Sequence, residues 1–196
     1  MENHIEYFEK AQFTLTGLVG ILFDRFIDMS EQKVDASEKL YLAEKNQVVF
    51  PSENIYGFLC TEKPPGCARW FEGRKGPKFG KAVMSYTGIS PEMIPFRRNG
   101  KEIFFSGFKN EYDAKAKIRV LHHKATVMKN SRPVPMPTAR PMLEVPWQLE
   151  FTISLVKNNI LSMNKIIKWF EQGGIEIGLG AYRPRFGRFM VEVNIL

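Results

Sequence analysis

The sequence predicts an α+β fold in which helices cover one face of a mainly antiparallel sheet. Two segments carry this prediction. Apolar and polar residues alternate at the start of residues 13–23 and throughout residues 147–155, which is the pattern of half-buried strands. The second segment is followed by an amphipathic helix and an apolar strand. A strand and short helix in the first half, then strand–helix–strand at the end, give the order of such a fold.

The first half of the chain contains one well-marked helix. Residues 48–50 are a short buried strand, and a helix over residues 53–59 follows, with Ser52 as its N-cap. Residues 66–81, rich in glycine and lysine, are predicted to be a loop. Short strands are predicted at residues 83–86, 93–96, 101–105 and 118–121. Beyond them, regular structure should be broken by Pro133, Pro135, Pro137 and Pro141.

The last third is the clearest part of the pattern. After the strand at 147–155, residues 162–172 place Met163, Ile166, Ile167 and Phe170 at helical spacing. Gly173 and Gly174 are predicted to end that helix. Residues 189–195 form the final strand.

Composition narrows the choice of partners. The 196 residues carry a formal net charge of +7 and a pI near 9.4, which suits a polyanion such as nucleic acid or an anionic membrane surface. A basic surface that binds neither is the alternative. The longest apolar run, residues 15–23, is too short to span a bilayer. Cys60 and Cys67 are predicted to be free thiols in a reducing cytoplasm, and neither a metal site nor a cofactor is expected.

The segment at residues 173–189, GGIEIGLGAYRPRFGRF, holds five glycines and three arginines. Guanidinium groups suit phosphate, and alternating aromatic and basic residues suit a single strand. The predicted nucleic-acid contacts here are Gly178, Gly180, Tyr182, Arg183, Arg185, Phe186 and Arg188. The alternative is a tight hairpin that needs glycine for its geometry and leaves its arginines in solvent.

Two further basic stretches extend this prediction. One contains Arg74, Lys75, Lys78 and Lys81 among aromatic residues, and the other, residues 114–143, has no acidic residue and includes Lys124. A solvated basic face is the ordinary explanation for one such run, but three runs together favour a shared track for a polyanion.

His122 and His123 are the only adjacent histidines. On a strand they would point to opposite faces and would not act together, although either alone could serve as a base in RNA cleavage. The sequence has neither a serine-nucleophile elbow nor a phosphate-binding P-loop. It therefore does not predict an enzyme.

Two motifs resemble the RAMP superfamily, the repeat-associated proteins that form the backbone of CRISPR effector complexes. VVFPSENIYGFL, residues 48–59, resembles that superfamily's strand–Pro–helix motif, with Gly57 at its helix glycine, although Phe58, Leu59 and Cys60 stand where an arginine is usual. The segment at residues 173–193 resembles its C-terminal glycine-rich loop. Residues 17–26, 147–153 and the ending also resemble a set of uncharacterised phage and prophage proteins.

The resemblance implies one RAMP-like domain over residues 1–196, with a ferredoxin-like (RRM-like) core and an inserted basic loop and strand region at about residues 66–141. It also implies a non-enzymatic subunit that binds single-stranded RNA or DNA, across a basic sheet face and the loop, and that associates with itself or with other RAMP-like subunits. The alternatives are a phage-encoded module that mimics or inhibits such a subunit and, more remotely, an RNA-processing endonuclease. In each case the protein is expected to be cytoplasmic, in a bacterium or a phage-infected host cell.

Overall fold

The computed structural model describes residues 7–25, 35–129 and 132–196. Phe26, the end of the opening motif, lies outside them. The strands are β1 Phe8–Gly17, β2 Ile21–Leu22, β3 Val49–Pro51, β4 Thr87–Ser90, β5 Met93–Arg98, β6 Lys101–Glu102, β7 Tyr112–Asp113, β8 Ile118–Lys129, β9 Arg132–Leu143, β10 Gln148–Val156 and β11 Phe189–Ile195. The α-helices are α1 Ser52–Cys60, α2 Cys67–Glu72, α3 Gly76–Tyr86 and α4 Met163–Glu176.

The main sheet is antiparallel and has the order β11-β1-β10-β5-β3, with β4 also paired to β10 and β6 to β5. Along the chain, α1 to α3 separate β1 from β4, and α4 separates β10 from β11. The α+β prediction with an antiparallel sheet is therefore confirmed.

One face of this sheet carries the core. Phe13 of β1 stacks on Phe151 of β10, and both rings contact Phe170 of α4. Phe58 of α1 contacts Phe170 and Phe189, so α1 and α4 lie side by side against the strands. Alternation in β1 and β10 predicts this face because each strand turns every second side chain towards the helices.

The helices themselves are short. None of those within the described residues is both long enough and apolar enough to span a bilayer.

A second sheet, of order β2-β9-β8-β7, is dominated by the long β8–β9 hairpin. The prediction that the prolines break regular structure here is wrong. Each strand of an antiparallel pair uses only alternate residues to bond a given neighbour. The prolines at 133, 135, 137 and 141 all belong to the set of β9 residues whose backbone nitrogens point away from β8. The hydrogen bonds between β8 and β9 are therefore intact, and the missing N–H donors affect only the opposite edge of β9.

Residues 66–86 also differ from the prediction. The expected loop and the expected strand at 83–86 are instead α2, a short 3-10 turn and α3. Pro77 stands in the first turn of α3, where its missing N–H costs nothing, and Phe79, Ala82, Val83 and Tyr86 follow at helical spacing.

Two predicted helix boundaries are wrong. Ser52 is the first residue of α1, and Pro51 precedes it as the N-cap without a side-chain bond. α4 continues through Gly173 and Gly174, because these residues have no side chain where the helix lies closest to its neighbours. The helix ends before Gly178, whose φ of +74° is the left-handed conformation usual after a helix.

The close approach at Gly174 predicts the effect of adding one methyl group. In Gly174→Ala the new Cβ would lie 2.6 Å from the Phe189 carbonyl oxygen, a backbone atom that cannot turn away. We expect this overpacking to lower the free energy of unfolding by about 1–3 kcal/mol in urea denaturation. Gly88→Ala is the matched control, since nothing lies within 4 Å of its Cβ, and a change within about 0.5 kcal/mol is expected there. Equal effects of the two substitutions would contradict the assignment.

Candidate nucleic-acid interface

Residues 178–188, which we call the glycine-rich loop, lie against the segment that joins β1 to β2. Three backbone hydrogen bonds hold them there: Leu18 N donates to Arg188 O at 2.8 Å, Gly187 N to Gly20 O at 2.9 Å, and Ala181 N to Leu22 O at 2.8 Å. The two segments that the sequence analysis singled out at opposite ends of the chain are therefore neighbours in the structure.

The glycines of this loop serve backbone geometry. Gly178, Gly180 and Gly187 all have φ near +75°, where a side chain is strained. A Cβ on Gly180 would also lie 2.5 Å from the Leu22 carbonyl oxygen. Gly178 is buried and Gly180 half-buried, so turning and close approach account for their identity, and a direct role in binding stays a prediction.

Tyr182 joins the loop to the β8–β9 hairpin. Its hydroxyl donates a 3.0 Å hydrogen bond to the Lys124 carbonyl oxygen, and its ring meets the His123 ring edge-on at 4.7 Å between centroids. The Arg140 guanidinium lies 5.8 Å from the ring centroid. Tyr182 was predicted to stack on bases; the structure gives it a fixed position, with one part of the ring still exposed.

The residues that contact the Tyr182 ring belong to a cluster of charged side chains. Arg140 pairs with Asp24 at 2.6 Å and hydrogen-bonds to His123, while Lys39 approaches Asp24 at 3.7 Å. Burial, and then the positive charge of Arg140, lower the pKa of His123 below its ordinary value of 6.5. Neutral His123 is therefore the form that suits the folded cluster.

Arg183 is a basic residue without an ion-pair partner among the described residues, unlike its neighbours Arg140 and Lys39. It is half-buried, and burial lowers the pKa of its guanidinium. Within the described residues, the structure gives this side chain no hydrogen bond and no carboxylate partner, and the group that interacts with its charge is the buried thiol of Cys67. Burial raises the pKa of that thiol well above its ordinary value of 9.0, so it carries no compensating negative charge.

Arg183 lines a cavity of about 530 Å³ between the loop, α1 and the end of β2. The core residues Phe50, Phe58 and Leu22 back it, each at most 2% exposed, and polar groups come from Tyr41, Asn54, Thr61 and Asp24. Sequence reasoning missed this cavity, because its lining comes from four separate parts of the chain, at residues 22–24, 41, 50–64 and 180–183.

The remaining predicted residues of the loop lie outside the cavity. Arg185 and Arg188 are exposed, as is Lys124 on the hairpin, and none of the three has an ion-pair partner among the described residues. The Arg185 guanidinium lies 5.6 Å from the centroid of the half-buried Phe186 ring. The structure thus brings Tyr182, Arg183 and Lys124 to one junction, with Arg185 and Arg188 on the same short loop.

The lysines of α3 occupy a different place. Lys78 and Lys81 line a separate depression of about 440 Å³ with Tyr86 and Ile160. Ile160 precedes α4, whereas the glycine-rich loop follows it, and 14 residues of α-helix span about 21 Å. Arg74 and Lys75 are exposed in the 3-10 turn before α3. A track joining these lysines to the loop would therefore have to run the length of α4.

The open face of the main sheet does not match the predicted basic, aromatic surface. Pairing places Gln12, Thr14, Thr16, Gln148, Glu150, Thr152 and Ser154 there in β1 and β10. Glu150 is paired with Arg97 at 2.9 Å, and Lys10 of β1 and Glu192 of β11 add one charge of each sign to the face. Phe8, at the start of β1, is the aromatic residue on this face of the two strands. The face is polar and close to neutral, so the sheet-face prediction is wrong.

The histidines lie apart, as alternation along a strand requires. His122 is exposed and bonds Glu111 at 2.9 Å, whereas His123 faces Tyr182 and Arg140. Cys60 and Cys67 are free thiols. Across residues 7–25, 35–129 and 132–196, no three His, Cys, Asp or Glu side chains are grouped to hold a metal ion.

Comparison with known proteins gives a structural neighbour. No protein-family model matches the sequence, and no curated protein matches it. Among solved structures, the chain is similar to a chain of the cryo-EM structure of the Type III-B Cmr-beta bound to cognate target RNA, with a TM-score of 0.53 and 12% sequence identity. The match covers 97% of this chain and 61% of that chain, so this chain spans less than two thirds of its neighbour's length. At this identity, the similarity shows the fold alone.

The lowered pKa of His123 predicts how stability depends on pH. Between that pKa and the ordinary value of 6.5, the unfolded chain binds a proton that the folded chain does not. The free energy of unfolding should therefore rise as the pH increases through this interval, and level off above 6.5 where both states are neutral. Urea denaturation on both sides of the interval measures the slope. His123→Asn should flatten it, and an unchanged slope in that variant would contradict the assignment.

Proposed function

We propose that this protein binds single-stranded nucleic acid, RNA before DNA, at the junction of the glycine-rich loop, α1 and the β8–β9 hairpin, and that it does so without catalysing a reaction. Arg183 is the observation that carries the proposal. A half-buried guanidinium at a cavity wall, with no carboxylate partner in the described structure, has its charge and donors available to an anion. Phosphate oxygens fit such a group in charge and geometry.

The residues around Arg183 favour a ligand with several phosphates more than one with a single anionic group. Arg185, Arg188 and Lys124 are exposed beside the cavity without ion-pair partners among the described residues, whereas Arg140 and Lys39 are already paired with Asp24. Unpaired basic groups at successive positions release counterions when a polyanion binds, and that release supplies sequence-independent affinity. The exposed part of the Tyr182 ring and the Phe186 ring provide surfaces on which bases can stack.

The fold is compatible with this proposal. The strand order β11-β1-β10-β4, with helices in the two crossovers, is the arrangement we assign as a ferredoxin-like core, and residues 66–141 include its elaboration. Together with the motif resemblance, it leads us to propose a RAMP-like domain that acts beside other subunits, or copies of itself, within a bacterial or phage-infected cytoplasm. The solved neighbour comes from a structure with bound target RNA, which supports RNA as the first ligand to test.

The direct test replaces the three loop arginines together. Arg183, Arg185 and Arg188 would be changed to Ala, and binding of one labelled sequence as single-stranded RNA and as DNA would be followed by fluorescence anisotropy over a salt series. Each phosphate contact contributes about 0.7 to the slope of log affinity against log salt, so losing three should reduce that slope by about 2. The matched control is the triple change of Lys101, Lys109 and Lys157 to Ala, which removes the same charge from exposed positions outside the loop, the hairpin and α4.

We expect the control to retain most of the slope. Equal losses in both triple variants would mean that only net charge matters and would remove the site from the loop. Absence of binding by the folded wild-type protein would overturn the proposed function and leave a protein-interaction role. RNA shortened on incubation, and spared by His122→Ala or His123→Ala, would instead support an endonuclease.

The separation of the α3 lysines from the loop yields a second prediction. If the strand runs along α4 to reach them, changing Lys78 and Lys81 to Ala should weaken the binding of long oligonucleotides and leave short ones unaffected. The loss for long strands should amount to a slope decrease of about 1.4 for two contacts. Anisotropy with a length series of one homopolymer measures it. A double variant that weakens strands of every length equally would contradict a track with two separate ends.

A further inference from the structure

The cavity beside Arg183 has more polar capacity than the protein uses. The Asn54 side chain and the Tyr41 hydroxyl line it, and the structure gives neither of them a hydrogen bond among the residues it describes. Asn54 adds an amide with both donor and acceptor atoms, Tyr41 adds a hydroxyl, and Arg183 adds a guanidinium fork. By contrast, Thr61 donates to Gly57 O at 2.5 Å, and Asp24 is paired with Arg140.

The accessible walls of the cavity combine aromatic and polar surface. Tyr41 is half-buried and Tyr182 is exposed, so both present ring surface to it, while Phe50 and Phe58 lie behind the walls with at most 2% of their surface exposed. A volume of about 530 Å³ falls within the roughly 300–1,000 Å³ of small-ligand sites, which combine apolar walls with a few convergent polar groups. A bare phosphate would use Arg183 and leave the amide, the hydroxyl and the aromatic walls without a role.

We propose that this cavity holds one nucleotide of the bound strand, with its phosphate on Arg183 and its base turned out of the stack into the cavity, beside the Tyr41 and Tyr182 rings. This inference rests on the proposed function and adds a place where the protein distinguishes one base from another. An asparagine amide pairs with the N6 and N7 edge of adenine, so the preferred base is adenine, read by Asn54. Tyr41 supplies a further hydroxyl for the base or the ribose.

The rim of the cavity is held in position from outside. Tyr182 is fixed by the Lys124 carbonyl, His123 and Arg140, and Gly180 lies against the Leu22 carbonyl. A pocket whose walls are fixed before the ligand arrives loses less conformational entropy on binding than one that must form around it. One base could therefore be turned out of the stack at modest cost, since a single strand has no pairing to break.

The test uses a short single-stranded RNA with a fluorescent adenosine analogue that keeps the 6-amino group and N7 at one position, moved along the sequence in separate oligonucleotides. A base turned out of the stack should increase in fluorescence on binding at one position, and free AMP should compete for that site while inorganic phosphate at the same concentration should not. Asn54→Asp keeps the size of the side chain and suits the first turn of a helix, but it removes the amide donor and adds a repelling charge. We expect it to weaken AMP binding tenfold or more and to abolish the preference for adenine.

The outcomes separate this inference from the proposed function. Salt-dependent binding of the strand, with no fluorescence increase at any position and no competition by AMP, would overturn the nucleotide pocket and leave the strand-binding site standing. Equal competition by AMP and inorganic phosphate would reduce the site to a phosphate contact and would also overturn it. Failure of the folded wild-type protein to bind any strand would remove the proposed function itself.

Glu53→Gln, an exposed neighbour on α1 that does not line the cavity, is the matched control, and thermal unfolding checks that each variant is folded.

Discussion

The contact of backbone on backbone between residues 17–22 and the glycine-rich loop is the constraint on which the candidate site depends. It brings the first and last thirds of the chain together through three hydrogen bonds, and it leaves no room for a side chain at Gly180. Everything that the loop presents follows from it. Arg183 lines the cavity beside α1, and Tyr182 contacts the hairpin. The turns of the loop that place these two side chains are fixed by residues at positive φ.

Much of the main sheet could be predicted from the sequence, because burial of one face requires an apolar residue at every second position of a strand. β10, α4 and β11 lie close to their predicted positions, and β1 begins earlier and ends at Gly17, where Trp147 packs. The second sheet could not be predicted. Its prolines were interpreted one by one as breakers, whereas their effect depends on which side of a ladder each nitrogen faces. In α2 and α3, abundant glycine and lysine obscured apolar residues at helical spacing.

The candidate site divides in the same way. The loop arginines could be picked out from composition, because their charge and their glycine neighbours are adjacent in sequence. The cavity could not, since residues 22–24, 54–61 and 180–183 meet only in the folded chain. Nor could the position of Tyr182, whose hydroxyl bonds a backbone carbonyl that any residue at position 124 would supply. Sequence identifies side chains rich in charge, whereas the fold decides which of them are already neutralised by a partner.

That last distinction changes the meaning of the net charge of +7. Arg97, Arg140 and Lys165 are each paired with a carboxylate, so the charge they contribute is cancelled locally. Uncancelled charge remains on the glycine-rich loop, at Lys124 of the hairpin and on α3, as well as at separate exposed lysines such as Lys101 and Lys157, while the open sheet face is close to neutral. Exposed charge of this kind attracts any polyanion alike and weakens as salt is added. Under the proposed function, selectivity must therefore come from groups that are fixed and partly shielded from water, and the cavity beside Arg183 is where the described structure gathers such groups.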